Sequence, residues 1–169
     1  MTPDANRREL LLASLVAMLP LALTRAAASP LNPAQTIITP PDQLAWKSGP
    51  GAAPKSVEMC PLAGNLNQLG LYYTLVRWWP GYMSAPHYYA TDRLCVVVSG
   101  TWWCNSGADF DPAACVPVAA GSFVHRVATT PHYDGVIANH AEPAIIAICG
   151  MGPVNIKLCD PSLPGVRKL

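Results

Sequence analysis

Beyond residue 56 no stretch of the chain sustains a helical period. Short apolar runs rich in β-branched and aromatic residues alternate with Pro, Gly, Asn and Asp turns. This punctuation predicts many short strands, at 71–79, 85–89, 94–98, 101–104, 122–127, 135–138 and 144–149. Strands at such spacing close into a sandwich or barrel. The 18 prolines and 12 glycines sit between the runs, as turns do. With 51% hydrophobic and 12% charged residues the chain cannot be a disordered one.

The N-terminus reads as an address. Arg7-Arg8 precedes an uncharged apolar run over 10–23, and Ala26-Ala27-Ala28 offers the small residues of a signal-peptidase site. Fourteen helical residues reach about 21 Å, short of a bilayer core of about 30 Å. The expected organisation is a signal peptide at 1–28 that resembles the twin-arginine type, a Pro-rich arm at 29–44, a barrel at 45–153 and a tail at 154–169. One short strand is expected near 43–47. The product is then periplasmic or secreted. No Cys stands near the cut, so membrane anchoring after cleavage is not expected. Five of the charged residues, Asp4, Arg7, Arg8, Glu9 and Arg25, lie in the leader. The rest is charge-balanced, which argues against nucleic acid as a partner.

Six cysteines follow the leader, at 60, 95, 104, 115, 149 and 159, and no Cys-x2-Cys zinc spacing occurs. If the strands around the 105–114 loop pair as a hairpin, Cys104 and Cys115 could form a disulfide. No Gly-x-Ser-x-Gly, phosphate loop or placed carboxylate pair is present.

Two spaced motifs carry the chemistry. GYMSAPHYYATDRLCVVVSG, from Gly81 to Gly100, resembles the first cupin motif, which reads G, five residues, H-x-H, three or four residues, E, six residues, G. GSFVHRVATTPH, from Gly121 to His132, resembles the second, which reads G, five residues, P-x-G, two residues, H. The flanks SGTWW, AAGSFV, PHYDG and GMGPV are similar to those of small single-domain bacterial cupins. The resemblance spans about 45–153. It implies an all-β fold, a single cupin-type antiparallel β-barrel (jelly roll) with its ligand pocket inside, and in many members one divalent metal held by the motif histidines and glutamate.

This chain departs from that pattern. His87 and His132 fall on motif histidines, but Tyr89 replaces the second histidine, Arg93 the glutamate, and Val127 and Thr129 the Pro and Gly. Arg93 is permanently charged and accepts no bond. Tyr89 could bind metal only after losing a proton. His125 shares strand parity with Phe123 and Val127, and which set faces inward stays open. His140 reads as a surface loop residue.

Three roles stand open for His87, Tyr89, Arg93 and His132. As a binding set they are donors suited to a small anionic molecule, Arg supplying a planar fork for carboxylate or phosphate. As a metal site, His87 and His132, with Tyr89 as a weaker third, would take one divalent ion such as Fe, Mn, Cu, Ni or Zn, in a cupin enzyme of dioxygenase or isomerase type. In the bland case Arg93 pairs with Asp92, Asp134 or another acid and closes the barrel. One Trp of each pair, Trp78-Trp79 and Trp102-Trp103, is expected in the core. An outer sheet face could serve a homodimer.

Overall fold

The computed structural model describes residues 31–32, 34–49 and 51–169. The expected signal segment at 1–28 lies outside them. Residues 40–169 form one compact unit, and all that follows concerns that unit.

Two antiparallel sheets face each other. The first has the order β1 (Lys47–Ser48), β2 (Val57–Ala63), β3 (Gly70–Trp78), β11 (Ala144–Gly152), β6 (Arg93–Ser99) and β9 (Phe123–Arg126). In the second, β10 (His132–Val136) lies between β7 (Thr101–Ser106) and the pair β4 (Tyr82–Ser84) and β5 (His87–Tyr88). Outside β7 comes β8 (Val116–Ala119). Beyond β5 and β4 lie β12 (Lys157–Leu158) and β13 (Val166–Lys168). This is the expected jelly-roll barrel.

The barrel boundary at 153 does not hold. Residues of the expected tail pair with β4 and β5, and Ile156, Gly165 and Val166 line the interior cavity. Two- and three-residue strands leave too short a pattern to read. The strand expected near 43–47 is a 3-10 turn over Pro41–Gln43 followed by β1.

Period-two alternation sorts the side chains. Along β6, Arg93, Cys95 and Val97 are buried, while Leu94, Val96 and Val98 are exposed. Along β3, Tyr72, Thr74, Val76 and Trp78 turn in, while Leu71 and Tyr73 turn out. The main core joins Val76, Trp78, Val97, Trp102, Val136 and Ile146. A second cluster of Met83, Cys115 and Tyr133, with Phe110 and Trp103 against it, covers the outer side of the second sheet. There Tyr133 Oη donates to the Asp111 carbonyl and accepts from Asn105 Nδ2. Trp78 and Trp102 are thus the core members of their pairs, as expected.

Gly100, the last residue of motif one, has φ 73° in the β6–β7 turn, and a Cβ there would stand 2.4 Å from the Pro143 carbonyl oxygen. Only glycine meets both conditions.

Cys104 and Cys115 are free thiols, which corrects the expected disulfide. Across β7–β8, Cys104 opposes Val116. Cys115 precedes the strand and packs in the outer cluster, whereas Cys104 belongs to the main core.

Candidate functional site

A cavity of about 170 Å³ occupies the barrel interior. His87, Tyr89, Arg93 and His132 all line it, so the structure brings the four motif residues together. His132 opposes His87 across β10–β5, and their ring centroids are 4.5 Å apart. The Tyr89 ring is 5.1 Å from His87 and 5.9 Å from His132.

Both histidines are oriented by backbone. His87 Nδ1 lies 2.8 Å from the Ala85 carbonyl, and His132 Nδ1 2.9 Å from the Thr130 carbonyl. A carbonyl only accepts, so each Nδ1 carries the proton and each neutral ring presents Nε2 as an acceptor. Burial pulls the His87 imidazole below its usual value and takes His132 down to about 4. Both rings are therefore neutral at pH 7.

Arg93 is held differently. It is 8% exposed. Its Nε donates to Tyr72 Oη at 3.1 Å, and its guanidinium stacks 4.2 Å from the Tyr89 ring centroid. Gly150 leaves room for that tyrosine, since a Cβ there would be 2.7 Å from Tyr72 Oη. Among the described residues, Nε is the only guanidinium nitrogen with a hydrogen-bond acceptor, and no carboxylate pairs with Arg93. The pairing of Arg93 with Asp92 or Asp134 is thus corrected. Asp92 meets His125 Nε2 at 2.8 Å on the outer face, and Asp134 meets Arg126 Nη2 at 3.4 Å. His125 accordingly points away from the cavity. His140 is half-buried in the turn after β10 and does not line it.

Asp134 is the residue the motif reading missed. It sits two positions after His132 on the same strand face, a period-two signal present in the sequence. Trp102 Nε1 donates to its Oδ1 at 3.1 Å. His87, His132 and Asp134 offer ligand atoms that all lie within 4.8 Å of one another, a group that could hold a metal ion. Tyr89 is a poor third ligand by comparison. Burial of its ring pushes the phenol above its usual value, so it keeps its proton and donates.

The charges decide what fits. Two guanidinium groups, Arg93 and Arg126, face one carboxylate, Asp134, between neutral imidazoles. The cavity thus carries one uncompensated positive charge. A bare divalent cation would bring that excess to three in a buried space. The three donors suit a metal only with an anion beside it.

No family model matches the chain, and no curated protein does. Solved structures do. A polyketide cyclase from Streptomyces resistomycificus superposes with a TM-score of 0.61 at 10% identity, over 74% of this chain and 86% of that one. A cupin-2 domain from Rhodospirillum rubrum gives 0.55 at 18% identity, over 79% and 86%. A cupin 2 conserved barrel domain protein from Rhodopseudomonas palustris gives 0.54 at 18%, over 73% and 85%. The chain has the cupin fold. That fold hosts enzymes and binding proteins alike, so function must be argued from the site.

Proposed function

We propose that the chain is an exported small-molecule binding protein whose barrel cavity receives an anion. One observation carries this reading: the buried Arg93 guanidinium lines the cavity without a carboxylate partner among the described residues. A buried unpaired charge costs several kcal/mol, a cost an anion arriving in the cavity offsets. Tyr89 and Tyr72 fix the guanidinium plane beforehand, which lowers the ordering cost of binding.

The test separates a binding role from a structural one. Arg93→Met removes the unpaired charge while filling similar volume. Its unliganded stability should rise by about 1 kcal/mol or more, and the thermal shift that small carboxylates give the wild type should vanish. A merely structural Arg93 gives the opposite, a destabilised variant with unchanged carboxylate response. Export rests on the leader sequence, and N-terminal sequencing of periplasmic protein should start at or near Ser29.

A second reading has the His87, His132 and Asp134 group in its favour. A metal-dependent cupin enzyme would hold one divalent ion there, Fe, Mn, Cu, Ni or Zn by donor type. The ion would act as a Lewis acid toward a bound substrate. Protein purified without chelator should carry well under one metal per chain on the first reading. A full equivalent, lost on His87→Ala, promotes the second.

A further inference from the structure

We infer that the ligand is a one-headed amphipathic acid of benzoate size: a single carboxylate on an apolar body no larger than one ring. The inference rests on the anion-binding reading above and names the class of anion. Three features of the cavity lead to it.

The first is charge. With Asp134 paired to Arg126, one positive charge remains at Arg93. One negative charge balances it. A second carboxylate would have no cation to meet and would lie among apolar walls.

The second is the direction in which polarity runs. Strand register stacks the inner face of the first sheet in levels. Tyr72, Gly150 and Arg93 share one level. Thr74, Ile148 and Cys95 form the next, and Val76 opposes Ile146 beyond it. Trp78 and Ala144 close the series. On the facing sheet the His87–His132 pair gives way along β10 to Asp134 and then Val136. The polar groups, Arg93 and Tyr89 as donors and the imidazoles and Asp134 as acceptors, are therefore gathered at one end. Val57, Val76, Trp78, Ile146 and Ile148 line the remainder. A sugar acid would leave the hydroxyls remote from its carboxylate against these walls without partners, a loss that discriminates strongly.

The third is size. The cavity measures about 170 Å³. An apolar protein cavity of about 150 Å³ takes one benzene. A single ring or a branched chain of similar bulk fills the apolar part, and its carboxylate reaches Arg93. Tyr89, as a phenol that keeps its proton, is a second donor beside the head.

Calorimetric titration of the mature chain with four probes tests this: benzoate, acetate, glycolate and benzyl alcohol. Each buried methylene strengthens binding about fourfold, so benzoate should bind at least tenfold tighter than acetate or glycolate. Benzyl alcohol has the same ring without the charge and should bind at least tenfold more weakly than benzoate. Arg93→Met should lose benzoate and keep benzyl alcohol, which shows that the cavity is still formed. Acetate or glycolate binding as tightly as benzoate overturns the amphipathic class and leaves the anion reading standing. Equal binding of benzyl alcohol and benzoate overturns the role of the charge. Absence of binding by every carboxylate overturns the anion reading itself.

Discussion

His132, with His87 beside it, makes stability depend on pH below the ordinary histidine value. Burial, with His87 beside it, holds its folded value at about 4 against an ordinary 6.5. Asp134 opposes that shift, while Arg126 adds to it. Between those values the unfolded chain binds a proton that the fold refuses, so stability rises with pH. It is complete above about 6.5 and is lost as pH falls toward 4. From pH 7.5 to pH 5 His132 alone withdraws about 2 kcal/mol. His87, lowered chiefly by burial, withdraws more in the same direction. Asp92 is held down chiefly by the Ala128 N–H and Asp160 by the Ser162 hydroxyl. Both lose their contribution as pH falls from the ordinary carboxylate value toward their lower folded one, beneath the histidine window. The perturbation is His132→Asn, whose amide nitrogen can still donate to the Thr130 carbonyl. Urea unfolding at half-unit pH steps is the assay. At a slope near 2 kcal/mol per molar, wild type should lose about 1 M of midpoint from pH 7.5 to pH 5 through His132. The variant should lose only the His87 share. Parallel profiles for the two proteins would show that His132 is not buried neutral, and the Nε2 geometry of the site would fail with it.

The sequence made the barrel legible because motif spacing reports backbone. Gly81, Gly100 and Gly121 all have φ between 73° and 87°, so their places mark turns that few other residues can make. The apolar runs at 94–98 and 71–79 announced strands but not which side faces in, because both faces are apolar and Leu94, Val96 and Val98 turn out. What stayed hidden was set by register between strands. Cys104 and Cys115 flank one loop, yet the β7–β8 pairing sets Cys104 against Val116. Asp134 and Arg126 come from β10 and β9, in different sheets, and nothing local announces that they meet. Tyr72 precedes Arg93 by 21 residues, and only the common level of β3, β11 and β6 joins them.

The departure from the metal pattern also gains a physical sense. Replacing a metal-binding glutamate by Arg93 exchanges an acceptor for a fixed cation, and the two neutral imidazoles remain. The same barrel positions then carry one uncompensated positive charge, which is the physical basis of the proposed anion-binding role.

Three further outcomes are expected. Native protein should resist thiol reagents at Cys104 and Cys115, where burial pushes the Cys115 thiol up to about 11 and Cys104 further. Mass spectrometry after unfolding without reductant should find both alkylated, and a bridged peptide would contradict the register. Thr129 stands where motif two carries glycine and has φ 60°, costly for a β-branched residue. Thr129→Gly should gain about 1 kcal/mol, the left-handed penalty less the entropy of glycine, or about 3 °C in melting temperature; a loss would refute the strain. The last concerns the outer face of the first sheet. The second sheet is covered by its own 107–115 loop, but Leu71, Tyr73, Leu94, Val96, Phe123 and Met151 are 39–63% exposed. Register makes them neighbours across β3, β11, β6 and β9. Their accessible surface is on the order of 600 Å², against about 800 Å² per partner in a standard interface. The Arg77–Glu58 ion pair and the His125–Asp92 hydrogen bond flank it. Arg77 and Glu58 balance each other, and a two-fold axis would bring like patches of this apolar face together. A second copy of the chain is therefore the expected occupant. Sedimentation equilibrium should show a dimer that Val96→Lys converts to a folded monomer. A wild-type monomer at high micromolar concentration would refute it.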